Sequence, residues 1–174
     1  MTGPEVSVES YSIDGVPHII TITDKMVTDV PYFVELGHTE PCKLSQVAQE
    51  DIKKVATAAI NAIGMLNGPT HTEIKVTPNG AKLVEIAARL GGDFITSKLV
   101  PLSTGVDMIE CYFASLLGER VPLEKKFQKS SAIRFIQGKD GILKQINGIE
   151  KVKDIDGVVE IEIYKNIGER VCKA

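Results

Sequence analysis

Cysteine is scarce in this 174-residue chain: Cys42, Cys111 and Cys172 are odd in number, far apart and without a CxxC pair. That argues against a disulfide framework or a cysteine zinc site, and it marks reduced thiols in a cytoplasmic protein. No run approaches the ~20 apolar residues that span a bilayer. Met1–Glu5 lacks the basic-then-apolar order of a signal peptide, so no membrane association is expected. Excess positive charge is also absent. With 20 Lys plus Arg against 23 Asp plus Glu the formal net charge is −3, and no global field draws the chain to nucleic acid or an anionic membrane. Any anionic ligand must be held locally. His18, His38 and His71 show neither HxxxH nor HxH spacing, which disfavours a histidine metal centre. There is no GxSxG, no cysteine with a motif-placed histidine, no Walker GxxxxGK[ST] and no GxGxxG, which excludes classical nucleotide loops.

The remaining composition is that of a globular protein, 43% hydrophobic and 25% charged, in a chain long enough to bury a core without staples. Residues 5–13, EVSVESYSI, and His18–Thr23, HIITIT, flank the turn signal Asp14-Gly15 and predict a hairpin. A third extended piece, Tyr32–Leu36, precedes a polar loop, Gly37–Pro41, expected to break regular structure and to be available for binding. From Ser45 onward Ile52, Val55, Ala56, Ala59, Ile60 and Ile63 lie on one helical stripe, with Gly64, Gly68 and Pro69 as stop signals. A second hairpin joins HTEIKVT, His71–Thr77, to AKLVEIA, Ala81–Ala87, through Pro78-Asn79-Gly80. A three-residue loop with Gly80 left-handed sets Thr77 opposite Ala81. Glu73 then faces Glu85, Lys75 faces Leu83 and His71 faces Ala87, while Ile74, Val76, Val84 and Ile86 share the core side. Beyond Arg89, Asp107 caps a helix ending at Gly118. Ala132–Ile136 and Val158–Tyr164 read as strands, the second with one wet face. Hairpins plus separate helices predict an α+β fold with a largely antiparallel sheet.

Two glutamates directly opposite each other repel unless something positive lies between. A divalent cation resolves the conflict, and hard oxygen ligands suit Mg²⁺ alongside phosphate oxygens. Two plainer solutions stay open: Lys75, diagonal to Glu85, neutralises a solvated face, or a bulge shifts the register. Arg89 shares strand parity with Glu85 and offers a guanidinium suited to a phosphoryl group or acyl phosphate. Gly91-Gly92 beside Asp93 lets backbone amides approach an anion or forms a plain turn. His38 in its loop is a candidate substrate contact, with surface polarity as the alternative. Lys25 at the end of the second strand meets an anion or guards a sheet edge.

GPTHTEIKVTPNGAKLVEIAARLGGD, Gly68–Asp93, resembles the metal-binding hairpin of the ATP-grasp ligases. EVSVESYSIDG, ITDK and PYFVELGH upstream, and LVPLSTGVDMIE downstream, are similar to the branch holding bacterial L-amino-acid ligases, biotin carboxylase and carbamoyl-phosphate synthase. The resemblance implies that residues 1–120 are the C-terminal subdomain of an ATP-grasp domain, with the metal-binding hairpin at 70–89, and that residues 121–174 are a strand-rich extension packed on it. It implies Glu73 and Glu85 as ligands of Mg²⁺, or Mn²⁺, on the ATP phosphates. Arg89 would be the catalytic group on the transferring phosphoryl, and His38, Gly91 and Gly92 would approach the substrate. Ala87 stands where the family commonly has a ligand Asn.

The activity so implied is ATP-dependent carboxylate–amine ligation through an acyl phosphate, on small-molecule carboxylate and amine substrates. The isolated chain is expected to be inactive, because the adenine hinge, the glycine-rich lid and its lysines would belong to a missing N-terminal half supplied in cis or in trans. A homodimer is compatible with this picture. A bicarbonate-using carboxylase or carbamoyl-phosphate-type enzyme is the alternative within the family. A non-catalytic domain that kept the fold is the alternative outside it, favoured by Ala87 and opposed by Glu73, Glu85 and Arg89 together.

Overall fold

Asp14 and Gly15 take left-handed backbone conformations, φ 49° and 78°, and so close a two-residue turn between β1 (Glu5–Ile13) and β2 (Val16–Val27). In the computed structural model, which describes residues 1–28 and 32–172, the chain forms two compact units, Met1–Phe135 and Ile136–Ala174. The first holds a six-stranded antiparallel sheet in the order β5-β4-β1-β2-β3-β6. Its other strands are β3 (Glu35–Glu40), β4 (Gly68–Thr77), β5 (Gly80–Ala87) and β6 (Ser131–Arg134).

Side chains alternate across a strand, and the register sorts this sheet into two unlike faces. Val6, Val8, Ile22 and Ile74 pack with Ala81 against Ile52 and Ala56, which lie on α1 (Gln46–Ala62). The expected stripe buries Ile52, Ala56, Ala59 and Ile60, and Ser45 caps the helix by accepting from the Ala48 amide. Tyr11 and Ile20 begin a second apolar cluster with Ile95, Leu99, Val100, Val106, Met108 and Cys111. Those residues come from a π-helical turn (Ile95–Leu99), α2 (Val100–Thr104), α3 (Met108–Leu116) and the bend between the last two. Asp107 caps α3 as expected, accepting from the amides of Ile109 and Glu110. The three cysteines are free thiols. Among the described residues no helix is long and apolar enough to cross a membrane.

Four expectations are corrected. Gly37–Glu40 is the body of β3, not a loop. Gly37 does not break this strand, because the room it leaves lets β6 come close: a Cβ there would lie 2.3 Å from the Ile133 carbonyl oxygen. The second hairpin turns on Pro78-Asn79 alone, with Thr77 opposite Gly80. A bulge between Glu73 and Ile74 absorbs the offset, so Ile74 faces Leu83 and Lys75 faces Lys82, while Glu73 still faces Glu85. Val84 is consequently 45% exposed instead of joining the core side. Lys25 is not on a sheet edge, since β2 lies between β1 and β3.

The fourth correction is that Val158–Tyr164 is not a strand of either sheet. Alternating residues make a strand only where a neighbouring backbone can take the ladder's hydrogen bonds. The second unit's strands are the two-residue β7 (Gly141–Ile142) and β8 (Arg170–Val171), paired with each other, and its helix is α4 (Ile149–Lys153).

Candidate functional site

Opposite the α1 face, the same strands carry a field of polar and charged groups. The β1–β4 register sets Glu5 beside Lys75, Ser7 beside Glu73 and Glu9 beside His71. Across β2 and β3, Lys25 stands opposite His38. Glu9, His38 and Glu40 are wholly buried, in contrast to the exposed loop expected for His38. Burial of this kind demands partners, and most of these groups have them.

Lys25 is the hub. Its ammonium lies 2.5 Å from Glu73, 2.9 Å from Glu35 and 3.1 Å from Glu5, and the side chain is 5% exposed. Burial alone would depress it, but hydrogen bonds to Glu73 and Glu35 outweigh that and hold it above the ordinary lysine range. A register shift between Met26 and Val27 passes over Leu36 and turns Glu35 onto this face. His71 donates from one side of the ring and from the other faces Glu73: Nδ1 is 2.5 Å from Glu9 and Nε2 is 3.7 Å from Glu73. Burial opposes the charge on His71, yet its two carboxylate neighbours raise it to about 9. His71, and then Lys25, hold the Glu73 carboxyl down at about 2. The positive charge required beside Glu73 is thus partly supplied by the protein itself, from Lys25 and His71 and not from Lys75, which pairs with Glu5 at 3.2 Å.

A second centre lies beside it. Glu35, His38 and Asp93 bring ligand-type atoms to within 4.8 Å of one another. His38 Nε2 is 3.7 Å from Asp93 and 3.9 Å from Glu35, and neither ring nitrogen has a hydrogen-bond partner among the described residues. Burial lowers the His38 pKa and keeps the imidazole neutral. The Asp93 carboxyl beside Glu35, and then burial, raise the Glu35 pKa. Deeper still, Glu40 accepts from Thr23 at 2.8 Å and Ser103 at 2.7 Å, and burial pushes it up to about 7.

The residues expected from sequence are distributed as follows. Glu73 and Glu85 are cross-strand neighbours, the first half-buried and the second exposed on the edge strand. Two hard carboxylate donors in this relation fit Mg²⁺ or Mn²⁺, and Ala87, opposite His71, adds no donor. Arg89 lies just beyond β5, exposed, with Nη1 donating to the Leu90 carbonyl at 2.9 Å. Gly91 packs directly on Glu9 and His71, while a Cβ at Gly92 would meet nothing within 4 Å. Sequence inspection missed Glu9 and Glu35 and passed over Asp93. The available signal was a carboxylate in mid-strand at Glu9, within an alternation whose polar side proves to be interior.

The sequence pattern of the ATP-grasp domain matches residues 1–97, more than half of the chain. This chain belongs to the ATP-grasp family. In fold it matches the crystal structure of L-amino acid ligase from Bacillus licheniformis with TM-score 0.87 and 26% identity, over 97% of this chain and 44% of that one. In sequence it is 29% identical to the y4rH protein of Sinorhizobium fredii, over 99% of this chain and 37% of that protein. It is 38% identical to alanine–anticapsin ligase of Bacillus subtilis, over 50% of this chain and 18% of the ligase. This ATP-grasp chain therefore spans less than half the length of these relatives.

Proposed function

We propose that this chain is the C-terminal part of the ATP-grasp domain of an ATP-dependent carboxylate–amine ligase. The observation that carries the proposal is Glu73 facing Glu85 across β4 and β5, inside the family-matched segment and beside a buried cationic hub. The similarity to an L-amino acid ligase and to alanine–anticapsin ligase supports the amine-using type.

In the proposed reaction a substrate carboxylate oxygen attacks the γ-phosphorus of ATP, ADP departs, an amine attacks the acyl phosphate carbonyl, and inorganic phosphate leaves. Mg²⁺ held by Glu73 and Glu85 would supply charge neutralisation at the phosphates. Arg89, exposed and not committed to a carboxylate among the described residues, stabilises charge on the transferring group. Glu35 and Asp93 form a pair of carboxylates suited to an amine, beside the buried, neutral His38 imidazole, whose ring nitrogens have no hydrogen-bond partner among the described residues. Gly91 and Gly92, which lead into Asp93, offer backbone amides to the substrate. A further segment, in cis or in trans, supplies the adenine pocket and lid lysines, so the 174 residues alone bind Mg²⁺ weakly and ATP hardly at all, without turnover.

Glu85→Ala in the complete ligase is expected to abolish ADP release across a panel of carboxylates and amines. Loss of one such charge contact typically costs ~2.7–4 kcal/mol in the barrier. Near-normal turnover would overturn the assignment. Calorimetry of the chain alone checks the second expectation, and micromolar ATP affinity would contradict it.

A further inference from the structure

The most enclosed charge in the proposed site is not one of the groups that would touch a ligand. Glu9 sits in the middle of β1 with no exposed surface. One carboxylate oxygen is 2.5 Å from His71 Nδ1 on β4, and the other accepts from the Thr96 hydroxyl of the π-helical turn at 3.3 Å. The third neighbour is backbone. A Cβ built on Gly91 would lie 2.8 Å from both Glu9 oxygens and 2.8 Å from His71 Nδ1. Gly91 is not at a positive φ, so its backbone would tolerate a side chain. What excludes one is the ion pair underneath. Gly92, the next residue, has open space at the same position. Glu9 and His71 therefore meet β4 two residues from Glu73 and also meet the segment that carries Arg89 and Asp93.

We propose that Glu9 and His71 are a buried positioning pair that fixes Glu73 and the 89–93 segment in one mutual geometry, with Gly91 as the point where that segment rests on them. Neither residue reaches a reactant. His71 Nε2 faces Glu73 at 3.7 Å, so the pair orients that carboxylate from behind, as outer partners orient metal ligands. The same pair sets the height of the Arg89–Asp93 segment through contact with Gly91. The consequence for metal affinity rests on the proposed function. The coupling of the two segments does not.

The test uses the full chain, with Mn²⁺ alone as probe. Free Mn²⁺ is followed by electron paramagnetic resonance, and amide chemical shifts are followed by NMR. Gly91→Ala keeps every charge but intrudes on the pair. Glu9→Gln keeps the shape but removes the charge, and Thr96→Val is milder than either. Ala88→Ser, at an exposed position one residue before Arg89, is the control. Gly91→Ala and Glu9→Gln are expected to shift amides at both 71–73 and 89–96 and to weaken Mn²⁺ binding about tenfold, within the range for outer-shell partners. Ala88→Ser should change neither readout beyond its immediate neighbours. Thr96→Val is expected to give a smaller shift of the same pattern and decides the matter should the stronger variants not fold. Shifts confined to the mutated segment in Gly91→Ala, or in Thr96→Val, would overturn the coupling. A wild-type chain that binds no Mn²⁺ would overturn the metal assignment instead, leaving the amide comparison to judge the pair.

Discussion

Lys25→Met removes an ammonium while keeping most of the stem that packs along the sheet. Three carboxylates, Glu73, Glu35 and Glu5, would lose a cation now at 2.5, 2.9 and 3.1 Å. Taking one partner from a buried pair typically costs 3–5 kcal/mol, because the other charge stays buried without compensation. Here the carboxylate side chains are 16–31% exposed, and Lys75 stays with Glu5 at 3.2 Å. The lower end applies, about 3 kcal/mol at pH 7, a large share of an ordinary domain's 5–15 kcal/mol. The sign with pH follows from Glu73, whose folded pKa of about 2 lies below its ordinary 4.5. Without Lys25 that carboxyl rises and takes up a proton in the folded state, so the loss shrinks as pH falls. Urea denaturation of both proteins at pH 7.5 and pH 4 measures this. A difference under about 1 kcal/mol at pH 7.5, the range of exposed pairs, or one as large at pH 4 as at pH 7.5, would refute the reasoning.

Glu73→Gln should flatten the acid limb of the wild-type stability curve. Native stability from this group is present above pH 4.5 and is lost as pH falls toward 2, by about 3 kcal/mol for a shift of that size, and melts from pH 6 to pH 2.5 compare the two. Glu40→Gln runs the other way. The folded pKa is raised to about 7 from 4.5 by burial, so the wild type loses stability as pH rises through that range, and the variant should exceed it by up to about 3 kcal/mol at pH 8 and not at pH 4. Thermal melts at the two pH values suffice, and a variant less stable at pH 8 would contradict the account.

Local chemistry made much of the fold legible. Asp14-Gly15, the stripe from Ile52 to Ile60 and the Ser45 and Asp107 caps each follow from a turn preference, a period or a capping oxygen, all short-range. The Glu73–Glu85 pairing, by contrast, agrees with expectation only because the bulge after Glu73 offsets a turn one residue shorter than expected. Long-range pairing was not legible. Gly37–Glu40 carries Gly, His, Thr and Glu, loop-like by composition, yet it is a strand because β2 and β6 both take its hydrogen bonds. Val158–Tyr164 shows the converse, strand-like composition outside the ladders of either sheet. Two bulges hid the rest. Each moves a side chain to the other face, which is how Glu35 joined the site and Val84 left the core. Glu9 escaped notice because a polar alternation reads as solvent-facing when what covers that face comes from Gly91 and Thr96, more than eighty residues further on.

The charge balance of the polar face bears on what it binds. Glu5, Glu9, Glu35, Glu40 and Glu73 stand there against Lys25, Lys75 and His71, so five acids meet three bases even before the exposed Glu85 and Asp93 are counted. The protein moderates the excess internally, holding Glu40 near neutrality by burial and surrounding Lys25 with three acids, but does not cancel it. The whole chain, at −3, gives no hint of so acidic a patch. A face of this kind attracts cations and repels a bare polyphosphate. On the proposed function, ATP would approach with its charge neutralised by a divalent ion at Glu73 and Glu85 and by Arg89, whereas an amine would meet the Glu35 and Asp93 carboxylates directly. On that reading the same excess favours an ammonium-bearing substrate over bicarbonate, because the cation beside Glu35, Lys25 at 2.9 Å, is already shared among three carboxylates.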